Sequence, residues 1–280
     1  MRSYLLVDVS NLAYKAMYAM PDLSFEGNAM GAVYGVFQDI VRLRERLETN
    51  KMIFCFDSKV SLRKSISPVY KGRRKRTLEM TEEEKKFRED LISQVVCMRR
   101  KYFPAIGFRN LLHQEGYEAD DLIAAMVQRH VKTQFIIVST DQDLYQLLSD
   151  KVVIYNPMAK TIITAQSFEC KYGVKPEKWA KVKALAGCVS DNVIGCKGVG
   201  EVIAIKFINK KLNKKTATYD KIQDFRPHAI QNLMLTKLPF PGTADFPIEE
   251  DELSTKKWDR VMKRLGMNTL LGKGRSLCRN

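Results

Sequence analysis

With 280 residues, 45% of them hydrophobic and 28% charged, the chain is long enough for one α/β domain with a second lobe and apolar enough to bury a sizeable core. Its net charge of +15 points to a polyanionic partner, nucleic acid or an anionic membrane surface. Six cysteines without a C-x-x-C pair and three histidines without ligand spacing argue against a disulfide framework and a zinc hydrolase, and they suit a reducing, cytoplasmic setting. The N-terminus does not read as a signal peptide, and no apolar run approaches the roughly 18 residues of a membrane span.

In chain order, the apolar run Tyr4 to Val7 predicts a buried strand that ends on Asp8. A helix is expected over Gly31 to Leu47, then a strand over Met52 to Phe56 that ends on Asp57. A basic segment without acids follows, holding Lys59, Arg63, Lys64, Lys71, Arg73, Arg74, Lys75 and Arg76. Thr81 and Glu84 form a capping box for a helix that runs to about Tyr102. Next come a strand over Phe108 to Leu112, a helix over Ala119 to Val131 and a strand over Phe135 to Val138. Strands alternating with helices predict an α/β fold whose mainly parallel sheet is covered on both faces. The composition shifts near Asn156-Pro157, so residues 1–156 form the expected core and residues 157–280 a smaller, mostly helical lobe.

Ligands of doubly wound sheets sit beyond the carboxyl ends of the strands. Asp8, Asp57 and the pair Asp141 and Asp143 each follow a strand, and Glu118, Asp120 and Asp121 open the Ala119 helix. Any one of these acids alone reads as a turn or helix-cap residue. Their coincidence at four strand ends in a basic chain points to a metal site, because such carboxylates repel unless cations neutralise them. Oxygen donors suit Mg²⁺ or Mn²⁺. The basic segment lies beside this edge and can hold a phosphate backbone, with Tyr70 placed to stack on a base. Further on, Gly195, Lys197, Gly198 and Gly200 make a glycine turn that presents backbone N–H groups at a helix start, where phosphate can bind.

In these residues the sequence resembles the flap-endonuclease family, which includes phage 5′-exonucleases and the 5′-nuclease domain of bacterial DNA polymerase I. The matching pieces, in order, are LLVDVSNLAYKA at Leu5 to Ala16, GAVYGVF at Gly31 to Phe37, FCFD at Phe54 to Asp57, YKGRR at Tyr70 to Arg74, EADDLIA at Glu118 to Ala124, STDQDL at Ser139 to Leu144 and SDNVIGCKGVG at Ser190 to Gly200. The resemblance implies a PIN-like nuclease core with two metal ions: Asp8, Asp57, Glu118, Asp120 and Asp121 for the first, and Asp141, Asp143 and Asp191 for the second. It makes the basic segment, about residues 59–102, a helical arch that guides a single-stranded 5′ end. Lys71 and Arg74 match residues that contact the scissile phosphate, and Arg73 and Arg76 add phosphate contacts. The glycine turn becomes a helix-hairpin grip on duplex backbone, often with K⁺, supported here by Lys197 and Lys206.

Three positions depart from the pattern. Cys188 stands where the family usually has Asp, which weakens the second metal and favours Mn²⁺ over Mg²⁺. Cys196 replaces a Val or Ile, and Val202 a basic residue. The expected function is a monomeric, structure-selective 5′-nuclease in replication or repair that cuts branched or 5′-ended DNA and leaves a 5′-phosphate. The alternatives are an RNA-primer-removing member acting on RNA·DNA hybrids and a non-catalytic branched-DNA-binding protein. No polymerase segment follows the motifs, as in the small separate nucleases common in phages, and no membrane role is expected.

Overall fold

The structure, a computed structural model, describes residues 3–72 and 79–278. Strand β1 (Tyr4–Asp8) leads through helix α1 (Val9–Ala19), the hairpin of β2 (Ser24–Phe25) and β3 (Asn28–Ala29), and α2 (Gly31–Leu47) to β4 (Met52–Cys55). Helices α3 (Arg63–Ile66), α4 (Glu82–Cys97) and α5 (Phe103–Ile106) lead to β5 (Leu111–Leu112), α6 (Ala119–Arg129) and β6 (Phe135–Val138). Strands β7 (Val152–Asn156) and β8 (Thr161–Ile163) precede helices α7 (Ala165–Tyr172), α8 (Trp179–Ala186), α9 (Glu201–Ile208), α10 (Ala217–Thr236), α11 (Thr255–Arg264) and α12 (Gly274–Leu277).

The six-stranded sheet has the order β5-β4-β1-β6-β7-β8, parallel except for β8. Side chains alternate across β1 and β4 and are buried on both faces: Leu5, Val7, Phe54 and Phe56 on one, Leu6, Ile53 and Cys55 on the other. The chain winds outward from β1 to β4 and β5, then returns past β1 to β6 and β7. The winding direction therefore reverses between β1 and β6, the place where an open α/β sheet leaves a crevice at its carboxyl edge.

Several expectations shift at their ends. The Thr81 capping box is present, with Glu84 N donating to Thr81 Oγ1 at 3.2 Å and Thr81 N to Glu84 Oε2 at 3.0 Å. The helix it opens passes into a π-helical stretch at Met98–Tyr102 before α5. Thr81→Ala should cost about 1 kcal/mol and loosen the first turn of α4, read by thermal unfolding and amide exchange. The strand expected from Phe108 shrinks to Leu111–Leu112 because a later segment takes its backbone. Arg109 N donates to the Asp251 carboxylate at 2.7 Å, and Glu252 N to Gly107 O at 2.8 Å. Gly107, at φ +108°, lies so close to Glu252 O that a Cβ there would collide with the carbonyl.

The chain beyond residue 157 splits its packing. Helices α7 to α10 cover the Leu6 face with α6, whereas α11 and α12 return to the Val7 face, where Trp258, Val261 and Met262 pack with α2 and α5. No helix among the described residues is long and apolar enough to cross a membrane.

Candidate metal centre and nucleic-acid face

Asp8 closes the central strand and caps α1. Its Oδ1 accepts from Asn11 N and its Oδ2 from Ser139 Oγ, both at 3.0 Å. Asp57, just past β4, accepts from Ala119 N at 2.8 Å and so ties that strand exit to the start of α6. Glu118 caps α6, and its Oε2 accepts from Lys71 Nζ at 2.8 Å and Tyr70 OH at 3.1 Å. Asp120 stands in the first turn of α6. Asp141 leaves β6 and is held from both sides: its N–H donates to Ser139 Oγ at 3.1 Å, and its Oδ1 accepts from Asp143 N at 2.8 Å.

Mutual repulsion ties Asp8, Asp57, Asp120 and Asp141 to one neighbourhood. Burial, then the charges of Asp57 and Asp141, pushes Asp8 up to about 7. Burial, then Asp141, Asp8 and Asp57, drives Asp120 well above the usual carboxylate range. Glu118 is the exception: burial pushes it up, but Lys71 and Arg63 outweigh that and hold it below its ordinary value. An all-oxygen group whose members repel each other this strongly fits a hard divalent cation, which would take the place of the protons.

The structure corrects two sequence expectations. Asp121 is 0% exposed and turned to Arg63. Its two oxygens accept from Arg63 Nη1 at 2.6 Å and Arg63 Nη2 at 2.7 Å, and Phe240 N adds a bond at 2.8 Å. With both oxygens committed, it is a buried ion pair rather than a metal ligand. Tyr70 is only 3% exposed and donates to Glu118, so it braces that carboxylate instead of stacking on a base. Lys71 does reach the acids, as expected, from a left-handed backbone at φ +54°. Arg73, Arg74 and Arg76 lie outside the described residues.

Asp143, Cys188 and Asp191 form a second group, with ligand atoms all within 4.8 Å of one another. Burial, then Asp141, raises Asp143 to about 7. The loop carrying Cys188 and Asp191 is pinned to the basic segment: Lys71 N donates to Asp191 O at 2.7 Å, and Asn192 Nδ2 to Val69 O at 2.9 Å. The group also includes Lys183, which was not anticipated. Its ammonium pairs with Glu201 Oε1 at 3.1 Å, and although burial opposes its charge, Asp143 and Glu201 keep it protonated. The run Trp179 to Ala186 carries two lysines, exposed Lys181 and buried Lys183, and a buried ammonium needs an acid. Trp179 Nε1 donates to Gln142 O at 2.9 Å and steadies the loop between the two acidic groups.

Two further features face outward. Tyr14 and Tyr18 on α1 and Phe87 on α4 form a ring cluster with centroids 4.9 to 6.4 Å apart, and both tyrosines are exposed. Their i, i+4 spacing is that of one helix face, and the packing of α4 beside α1 brings Phe87 to them. In the glycine turn, Gly195 packs against Ala186 too closely for any side chain, whereas a Cβ at Gly198 or Gly200 would meet nothing within 4 Å. The outer side of the turn, with exposed Lys197 and Lys206, is therefore open, while Cys196 and Val199 anchor it from below. Val202 is exposed beside it.

The 5′-3′ exonuclease, N-terminal resolvase-like domain family matches residues 3–173, a span that holds the whole first acidic group and Lys71. The chain belongs to the 5′-3′ exonuclease family. A family relative, the 5′-3′ exonuclease of Aquifex aeolicus, is 28% identical over 97% of this chain and 94% of its own length. The thermostable DNA polymerase I of Thermus thermophilus is 30% identical over 95% of this chain but only 32% of the polymerase, so the chain spans about a third of that relative. The exonuclease fold is shared with the T5 D15 protein co-crystallized with metal ions, at TM-score 0.70 and 20% identity over 99% of this chain and 98% of that one.

Proposed function

We propose that this member of the 5′-3′ exonuclease family is a structure-selective 5′-nuclease that hydrolyses phosphodiester bonds at 5′ flaps and 5′ ends of DNA, in replication or repair. The carrying observation is the gathering of Asp8, Asp57, Glu118, Asp120 and Asp141 at the carboxyl edge of the sheet, beneath Lys71. The first divalent ion would be held by Asp8, Asp57, Glu118 and Asp120, and the second by Asp143 and Asp191 with Cys188, with Asp141 acting on both groups. When bound, such ions lower the pKa of an attacking water and stabilise charge on the phosphate and the leaving 3′-oxygen. K⁺ at the glycine turn is part of the proposal.

The remaining work falls to the chain. Ser139 and Asn11 aim Asp8, Lys71 is placed to meet a phosphate oxygen at the rim, and Tyr70 fixes the Glu118 carboxylate. Exposed Tyr14 and Tyr18 offer rings for stacking unpaired bases, a contact indifferent to sequence. The open glycine turn with Lys197 and Lys206 suits duplex backbone, so selection rests on shape rather than base identity. The supporting relatives are an enzyme named 5′-3′ exonuclease, DNA polymerase I and a T5 flap endonuclease solved with DNA and metal ions.

The test is cleavage of a 5′-labelled flap duplex with Mg²⁺, Mn²⁺ or EDTA, beside Asp120→Ala. Cutting near the junction that needs a divalent ion and falls by about 10³-fold or more in the variant is expected, in line with losing a charge aimed at the reacting centre. Binding without cutting in either metal would overturn the reading.

A further inference from the structure

Cys188 brings a sulfur into a site otherwise built from oxygens. Its Sγ lies within 4.8 Å of carboxylate oxygens of Asp143 and Asp191, and it is held rather than loose: Ser190 Oγ sits 3.0 Å away, and Cys188 exchanges backbone hydrogen bonds with Val193 at 2.9 Å in both directions. The residue is 8% exposed, so the sulfur has little contact with bulk solvent. Mg²⁺ demands a near-octahedral shell of hard oxygens and gives up water reluctantly, so it gains nothing from the Cys188 sulfur. A thiolate with two carboxylates is instead a borderline donor set of three protein ligands with a position left for water or phosphate. Closing the three onto one tetrahedral ion, with metal–ligand distances of about 2.0–2.3 Å, requires side-chain movements of about 1 Å.

We propose that Asp143, Cys188 and Asp191 form a mixed thiolate–carboxylate site that selects a thiophilic divalent cation of the zinc type over Mg²⁺, while the all-oxygen group at Asp8 and Asp120 keeps its preference for hard ions. The proposal deepens the metal-nuclease reading above and rests on it. Binding forms a metal–sulfur bond and releases the Sγ proton to solvent. The two groups then answer to different ions, so the activity depends on two metals of different softness.

Co²⁺, a spectroscopic stand-in for Zn²⁺, tests this on the full chain without DNA. Titrated in excess Mg²⁺ to occupy the oxygen-only group, it should produce a thiolate-to-cobalt charge-transfer band that saturates. The band should vanish in Cys188→Ser and persist in Cys55→Ala and Cys170→Ser. Cys55 is the demanding control, because it lies buried beneath Asp8, Asp57 and Asp120. Asp191→Asn keeps the thiol and should weaken Co²⁺ binding by at least about 10–100-fold. No band, a band that survives Cys188→Ser, or an unchanged affinity in Asp191→Asn would overturn the proposal. Mg²⁺-dependent flap cleavage without the band would sink this proposal alone; the band without cleavage in any metal would sink the nuclease reading alone.

Discussion

Arg63→Met is expected to destabilise the protein by about 3–5 kcal/mol, the cost of leaving a buried carboxylate without its partner. Arg63 is 2% exposed and holds Asp121 with two bonds at 2.6 and 2.7 Å, while its Nε donates to Leu235 O at 2.9 Å and its plane lies 5.0 Å from the Phe240 ring. One side chain thus joins α3, at the foot of the basic segment, to α6 and to the end of α10. A chain of this size loses roughly 2–4 °C of melting temperature per kcal/mol, so the midpoint should fall by roughly 10 °C. Asp121→Asn should also lower the midpoint, and the double variant Arg63→Met with Asp121→Leu should recover part of the loss, because an apolar pair can replace a buried ion pair. Were Asp121 a metal ligand instead, its substitution would weaken metal binding and leave the metal-free midpoint in place. Differential calorimetry in EDTA distinguishes the two outcomes.

Mg²⁺ affinity should fall by about tenfold between pH 8 and pH 6 for each raised acid that must shed a proton to bind metal. Asp8 of the oxygen-only group, pushed up to about 7, titrates inside that window. The same shifts set the stability of the metal-free protein. An acid whose pKa is higher folded than unfolded binds more protons in the native state. Its contribution is therefore complete below the ordinary carboxylate value near 3.8 and is lost as pH rises through about 7. In EDTA the protein should be less stable at pH 8 than at pH 6, by about 1 kcal/mol from Asp8 alone. Mg²⁺ should reverse the order by stabilising most where the acids are ionised. The measurement is the melting midpoint at both pH values with and without the ion. A Mg²⁺-induced shift that is equal at pH 6 and pH 8, or larger at pH 6, would mean that these acids are not the ligands.

These two results separate acids that look alike in sequence. Asp120 and Asp121 are neighbours at the start of one helix, yet adjacent helical positions point about 100° apart. One faces the carboxyl edge of the sheet and the other faces Arg63. Nothing local marks which is which, since the partner of Asp121 lies 58 residues earlier in the chain.

The sequence by itself determined the core. Apolar runs of strand length, three of them followed closely by an acid and all separated by amphipathic helices, dictate a buried parallel sheet with carboxylates at its carboxyl edge, because both periodicity and strand-end position are local properties. Gly31–Leu47, Phe135–Val138 and the Thr81 capping box were legible for that reason. The tertiary structure decided what depends on distant partners. The strand at Phe108 is cut short by residues 249–252, Tyr70 is drawn inward by Glu118, and Lys183 is charged because Asp143 and Glu201 meet it. The return of Trp258 to the first face of the sheet is equally invisible in the chain, since its polar neighbours resemble any surface helix. Local pattern sets which side chains must be buried or ionised; only the folded packing sets which of them meet, because each meeting is between groups tens to hundreds of residues apart.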